Sequence, residues 1–138
     1  MNYVLGKKVN IRDAYGDALL ELGNSYPNLV VLDADLGSSL KTGKFRTAFP
    51  DRHYQAGVSE AHMQSMAAGL AREGFIPVTN TFAVFASLRS GDQVRQGIAY
   101  PKLNAKVVGS HGGTVGEDGI QCHGHSRIVE CRALTPKP

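Results

Sequence analysis

One glutamate and one pair of phenylalanines have the residue type and spacing to form a functional site. Glu60 ends the segment Gly57-Val-Ser-Glu60 and precedes a helix-like run, so its carboxylate lies near a helix N-terminus, where the helix dipole favours an anion. Phe82 and Phe85 are three residues apart, which is one turn if a helix has begun. The alternatives are an ordinary first-turn glutamate and a packed aromatic pair. The functional interpretation of the pair is a platform for ring stacking.

Three polar or glycine-rich stretches each follow a predicted strand. They cover residues 33–39, 81–85 and 110–119. Ligands of parallel α/β sheets bind outside the carboxyl ends of the strands, so we expect the three stretches to meet at one edge. For any single stretch, acids and glycines that merely end a strand are an equally good explanation. The occurrence of all three favours a binding site.

The elements that must position these residues alternate between helix and strand. Helix-like periodicity covers residues 11–23, where Gly23 is the expected C-terminal stop, and residues 60–73 and 83–99, the last interrupted at Gly91. Apolar runs typical of buried strands cover residues 28–32, 76–82 and 106–108, and residues 36–52 read as a loop. This order predicts the α/β class, as a three-layer, doubly wound, mainly parallel sheet with helices on both faces.

Length and composition narrow the function classes. The 138 residues suffice for one domain, and 42% apolar with 20% charged residues indicates a folded rather than a disordered chain. No apolar run is long enough for a membrane span, and the start lacks the pattern of a signal peptide, so we expect a cytoplasmic protein. The net charge of +3 comes without a basic block, which argues against nucleic-acid binding. Two cysteines do not make a disulfide framework.

From about Arg12 to Gly119 the chain resembles the pyrimidine-binding domain of transketolase. The resemblance rests on four motifs in the order and near the spacing of the family, namely GVSEAHMQSMAAGLAREGFIPVTNTFAVF, DQVR, LNAKVVGSHGG and GEDG. Within the family the chain most resembles the separately encoded C-terminal subunits of split transketolases. The resemblance implies the thiamine-diphosphate-binding fold and two-carbon ketol transfer between sugar phosphates.

The same resemblance implies roles for the cofactor residues. Glu60 matches the glutamate that hydrogen-bonds the aminopyrimidine ring nitrogen of thiamine diphosphate and thereby promotes loss of the C2 proton. Phe82 and Phe85 match the aromatic residues of the pyrimidine pocket. Leu88 stands where the family commonly has a third aromatic residue, so that wall of the pocket is altered here. Glu60 and His111 are the implied catalytic residues.

Substrate residues also follow from the resemblance. Arg12 and Ser39 match positions that hold the sugar phosphate, and guanidinium and hydroxyl donors suit phosphate oxygens. His111 and Asp118 match residues that hydrogen-bond sugar hydroxyls. The stretch 111–117 is one residue shorter than in the family, which shifts His111 relative to Asp118. Cys122 takes the place of the family's next histidine.

The tail beyond Gly119 departs from the family. Residues 1–138 are expected to form one domain, with residues 120–138 as a diverged or truncated tail. His123 and His125 lie beside Cys122 and could replace the missing histidine. A closed zinc site there would need a fourth ligand from elsewhere, so we expect no metal held by this chain.

The resemblance also implies a partner, because the motif that holds the diphosphate and Mg²⁺ in this family is not recognisable here. We therefore expect thiamine diphosphate to be shared with a partner chain that binds the Mg²⁺. A homodimer and/or a heterotetramer with an N-terminal transketolase subunit is implied, and the isolated chain is expected to be inactive. The alternative is a non-catalytic, truncated module for dimerisation or regulation.

Overall fold

The computed structural model describes residue 6 and residues 8–112 of the chain. Its helices α1 to α4 are Ile11–Ser25, Gly37–Leu40, Gly43–Ala48 and Glu60–Arg72. Strands β1 to β4 are Leu29–Asp33, His53–Gln55, Ile76–Phe82 and Lys106–Ser110. A 3₁₀ turn covers Pro50–Arg52, and two wider π-helical segments, α5 and α6, cover Phe85–Arg89 and Gln93–Ala99. None of the described helices combines the length and apolarity needed to cross a bilayer.

The four described strands form one parallel sheet in the order β2-β1-β3-β4. The chain leaves β1 towards β2 on one side and then crosses back over β1 to β3. The order of the strands therefore reverses between β1 and β3, and such a switch point opens a crevice at the carboxyl ends of the strands. Asp33 pairs with Asn80 across this point, and Phe82 pairs with Ser110 of β4. The predicted meeting of the three strand ends is confirmed for the described residues.

Alternate residues of β1 pack on opposite sides of the sheet. Val30 and Leu32 contact a buried cluster that contains Met63 of α4 and Ile98 of α6. On the other side, Val31 belongs to a second cluster, formed with Leu19 of α1, Phe45 of α3, and Leu29 and Val78 of the sheet. Helices therefore cover both faces of a buried parallel sheet, as its apolar strands require. The predicted three-layer, doubly wound α/β fold is confirmed.

The prediction that Gly23 ends the first helix is wrong. Helix α1 continues to Ser25, and Gly23 is buried inside it. A Cβ atom at Gly23 would lie 2.5 Å from a ring carbon of Phe49 and 2.7 Å from one of Phe45. The glycine is therefore explained by the close approach of these rings and not by a helix stop.

The predicted loop over residues 36–52 is also wrong, because it contains α2, α3 and the 3₁₀ turn. Leu40 and Phe45 are buried there and anchor the two short helices to the core. The third predicted helix, 83–99, is interrupted at Ser90. The Ser90 N–H and hydroxyl both donate to the Phe85 carbonyl, at 3.2 and 2.9 Å, and this i→i+5 contact produces the wide turn of α5.

Candidate functional site

Glu60 is the first residue of α4 and is almost fully buried, with 1% of its surface exposed. Its carboxylate Oε2 lies 3.0 Å from Nη1 of Arg89, the last residue of α5. The guanidinium of Arg89 also lies over the ring of Phe85, 4.5 Å from its centroid. The carboxylate and the aromatic ring are thus connected by one planar cation, in contacts typical of a charge-assisted hydrogen bond and a cation–π pair.

A row of rings continues from Phe85 along the carboxyl edge of the sheet. Phe82 and Phe85 are stacked, with centroids 6.1 Å apart and planes inclined by 21°. The imidazole of His111 follows at 4.5 Å from Phe82, tilted by 48°. His111 has a left-handed backbone with φ of 56° and comes directly after β4. Such a conformation is unfavourable for a non-glycine residue and is concentrated at functional sites.

A cleft of about 680 Å³ opens between the start of α1 and the end of β4. Arg12 and His111 both line it, together with Tyr15. The Arg12 guanidinium donates to the Ser39 carbonyl at 3.3 Å, so these two predicted substrate residues are neighbours. Arg12 is exposed and is the arginine among the described residues that line the cleft. This arrangement suits an anionic ligand whose other end reaches the ring row.

Tyr15 connects the cleft with the sheet. Its hydroxyl donates to the side-chain carbonyl of Asn80, a buried residue of β3. Burial raises the pKa of the Tyr15 phenol, and the nearby Asp33 carboxylate raises it further. Both effects disfavour the phenolate, because a buried charge lacks water and a second negative charge repels it. Tyr15 therefore remains a neutral donor at physiological pH.

A second buried carboxylate lies at the end of β1. Asp33 Oδ2 accepts a hydrogen bond from the Thr42 hydroxyl at 2.6 Å and lies 2.7 Å from His53 Nε2. Thr42 lies in the β1–β2 connection and His53 is the first residue of β2, and the side chain of His53 is only 5% exposed. These three residues line a cavity of about 420 Å³ next to α2. The cluster fixes the connection that follows β1.

The other predicted site residues have different surroundings. Leu88 is 58% exposed, whereas its neighbour Arg89 makes the contacts with Glu60 and Phe85. Asp118 lies outside the described residues, as do Cys122, His123 and His125. Within residues 8–112, no group of three histidines, cysteines or carboxylates has the arrangement of a metal site.

Sequence reasoning missed Arg89, Tyr15 and the partners of Asp33, which are Thr42 and His53. For Arg89 a signal was present, because it follows Phe85 by four residues, a spacing that brings helical side chains together. For Tyr15 and His53 no local pattern distinguishes their roles. Their partners, Asn80 and Asp33, are 65 and 20 residues distant along the chain.

Comparison with known proteins identifies the family. The family model described as "Transketolase, pyrimidine binding domain" matches residues 7–134. A relative from Methanocaldococcus jannaschii, provisionally named a transketolase C-terminal section, is 53% identical over 125 residues. A 6-deoxy-6-sulfo-D-fructose transketolase subunit from Clostridium sp. is 45% identical over 107 residues. These matches cover 90% and 78% of this chain.

A solved structure agrees with the sequence comparison. A split-gene transketolase, described as an inactive β4 tetramer, superposes with a TM-score of 0.68 and is 48% identical. The superposition covers 75% of this chain and 34% of that one. The chain spans 40% of the length of the archaeal relative and 33% of the clostridial one, so it corresponds to one section of these proteins. The chain belongs to the transketolase pyrimidine-binding domain family.

Proposed function

We propose that this chain provides the aminopyrimidine site of thiamine diphosphate in a transketolase-type complex. In that complex a two-carbon ketol unit moves between sugar phosphates. Membership of the family supports the cofactor, and the observation that carries the proposal is the joint contact of Arg89 with Glu60 and Phe85. A planar, nitrogen-rich group there meets a buried carboxylate and an aromatic face at once.

Glu60 and Phe85 fit an aminopyrimidine ring, because together they accept a planar group that needs both a carboxylate and an aromatic face. The Arg89 guanidinium is planar, carries N–H donors and makes its two contacts at 3.0 Å from Glu60 Oε2 and 4.5 Å from the Phe85 centroid. An aminopyrimidine is also planar and carries nitrogen atoms on its edge, so it can stack on Phe85 and present a ring nitrogen to Glu60. Phe82 extends the same apolar wall.

Thiamine diphosphate supplies the carbon nucleophile of ketol transfer when it is bound. Glu60 then holds a proton between its carboxyl oxygen and the ring nitrogen, in a position from which water is excluded, since the residue is 1% exposed. Phe82 and Phe85 fix the plane of the ring, and Leu88 closes its outer side once a partner covers the exposed surface. His111, beside Phe82 and in the cleft, hydrogen-bonds the sugar near the reacting carbon.

The substrate end of the site is assigned to the cleft with Arg12 and Ser39. Its exposed guanidinium would bind the anionic terminus of the sugar, and Asp118 would hold a hydroxyl group. The clostridial relative is named for a sulfosugar. A guanidinium can also hydrogen-bond the oxygens of a sulfonate, so a fructose phosphate and a 6-sulfofructose should both be assayed.

A partner chain is required by this proposal. One similar protein is named a transketolase C-terminal section, of which the chain spans 40%, and a similar solved structure is a split-gene transketolase. We assign the diphosphate and Mg²⁺ to an N-terminal subunit, in a homodimeric or heterotetrameric assembly. The shared cofactor then lies between chains, and the isolated chain is inactive.

The test is a ketol-transfer assay on this chain mixed with its N-terminal partner. Glu60→Ala should reduce kcat at least about 100-fold, the usual contribution of a positioned acid or base. Glu73→Ala, at the exposed residue that follows α4, is the matched control and should keep full activity. Equal activity of wild type and Glu60→Ala would show that Glu60 has no catalytic role.

The second candidate is a non-catalytic module that associates with itself. It is favoured by the description of the solved relative as an inactive β4 tetramer. Analytical ultracentrifugation with and without the partner separates the two candidates. A chain that remains a homo-oligomer and yields no ketol transfer in the mixture supports the module, whereas a mixed complex with activity supports the enzyme.

A further inference from the structure

We propose that Arg89 is a placeholder that occupies the aminopyrimidine position in the free chain and is displaced when the cofactor binds. This inference rests on the proposed function. The supporting observation is that the Arg89 guanidinium contacts both groups that we assign to the aminopyrimidine ring. It lies 3.0 Å from the Glu60 carboxylate and 4.5 Å from the centroid of the Phe85 ring. A ring that bonds the same carboxylate oxygen and stacks on the same face of Phe85 would therefore compete with Arg89.

Burial explains why a placeholder is needed. Glu60 is 1% exposed, and a carboxylate without a partner in such a position is strongly unfavourable. Arg89 is the counter-ion that the free chain provides. The guanidinium keeps the pocket occupied and the carboxylate in place before the partner and the cofactor arrive.

Exposure explains why the placeholder can leave. The side chain of Arg89 is 50% exposed, so its charge needs little further hydration when it swings into water. The residue also ends α5, where the Phe85 carbonyl is already bonded to the N–H and hydroxyl of Ser90. Movement of the Arg89 side chain therefore breaks no described backbone hydrogen bond.

The wide turn of α5 brings the two contacts together. Phe85 and Arg89 are its first and last residues. In a π-helical turn of more than four residues, positions i and i+4 lie nearly above one another, which sets the guanidinium over the ring. Local π-helical turns of this kind are frequent at functional sites.

The test measures the dissociation constant of thiamine diphosphate, with Mg²⁺, for the complex of this chain and its partner by calorimetry. Arg89→Met keeps much of the apolar stem but removes the competing cation. It should bind about tenfold more tightly than wild type, since a hydrogen bond to a charged group is worth about one factor of ten or more. Arg89→Lys keeps the positive charge but not the planar group, so its dissociation constant should lie between those of wild type and Arg89→Met.

Arg95→Met is the matched control, because Arg95 is an exposed arginine on α6. The complex with Arg95→Met should bind thiamine diphosphate with the dissociation constant of the wild-type complex. Circular dichroism verifies the fold of each variant, and Arg89→Lys carries the test if the methionine variant does not fold. Binding by Arg89→Met that equals or is weaker than wild type overturns the placeholder role alone. A wild-type complex that does not bind thiamine diphosphate overturns both this role and the proposed function.

Discussion

Two buried carboxylates near the carboxyl edge of the sheet have opposite surroundings. Asp33 and Glu60 are both 1% exposed. The partners of Asp33 are themselves buried, because Thr42 is 1% exposed and the His53 side chain 5%. The partner of Glu60 is a side chain that is 50% exposed. One carboxylate is enclosed by its partners, whereas the other is paired with a residue that can reach water.

This difference separates a structural carboxylate from an exchangeable one. The bonds of Asp33 join β1 to β2 and to the connection between them, so their loss removes the shared acceptor of two buried side chains. The bond of Glu60 to Arg89 can be replaced, because the guanidinium is hydrated when it leaves. A site that must accept a ligand needs a carboxylate of the second kind, and the following predictions test that distinction.

The largest expected difference is between removal of the two carboxylates. Asp33→Ala should lower the free energy of unfolding by about 3 kcal/mol, because it leaves His53 and Thr42 buried without their acceptor. Glu60→Ala should cost no more than about 1 kcal/mol, since Arg89 then turns to water. Urea unfolding of the isolated chain measures both. Equal losses for the two variants would contradict the comparison.

A smaller effect is expected from tight packing around Asp33. A Cβ atom at Gly37 would lie 2.8 Å from Asp33 Oδ2 and 2.9 Å from Thr42 Oγ1, so Gly37→Ala should cost about 2 kcal/mol. Gly43→Ala is the matched control, because nothing lies within 4 Å of its added Cβ. Thermal unfolding of the two variants is the measurement. A Gly37→Ala variant as stable as Gly43→Ala would contradict this prediction, because it would show that Asp33 and Thr42 move apart at little cost.

The smallest effect concerns the ionisation of Tyr15 at high pH. The pKa of Tyr15 is raised above its ordinary value of 10.0 by burial and then by Asp33. The folded-state pKa is therefore the higher one, so its stabilising contribution is complete below pH 10 and is lost as the pH rises towards the folded value. Between pH 10 and 11 we expect a loss of about 1 kcal/mol from this residue.

Tyr15→Phe should flatten that part of the pH dependence, measured as urea unfolding at several pH values. Tyr26→Phe is the control, because Tyr26 is 48% exposed, and it should leave the slope of the unfolding free energy against pH unchanged. Asp33→Asn should lower the pKa of Tyr15, because it removes the repelling charge. An unchanged slope in Tyr15→Phe would show that the phenol is not protected in the folded chain.

Much of the sheet could be predicted from the sequence, because its strands are continuous apolar runs. Residues 76–82 were predicted as a strand and form β3, and the helix predicted at 60–73 is α4. Residues 36–52 were misread, because two of their short helices are stabilised by the burial of Leu40 and Phe45 and not by local periodicity. Strand β2 was missed because it has three residues and is largely exposed.

Part of the candidate site could also be predicted from the sequence. Phe82 and Phe85 are indeed stacked, and Arg12 does lie beside Ser39, so the positions inferred from motifs are neighbours in the fold. The roles given to them, and to Glu60, Leu88, His111 and Asp118, remain predictions. The i,i+4 spacing to Phe85 could have indicated the ring contact of Arg89, but its bond to Glu60 could not be read from the sequence, because Glu60 lies 29 residues earlier.

The sequence by itself determined the class of fold through its apolar periodicity and the family through its motifs, whereas the cofactor residues that the resemblance implies remain predictions. The tertiary structure alone decided which buried carboxylate is enclosed and which is exchangeable. That distinction depends on how far the partners Thr42, His53 and Arg89 reach into water. Solvent access is set by elements that meet in space, and it cannot be read from the spacing of residues along the chain.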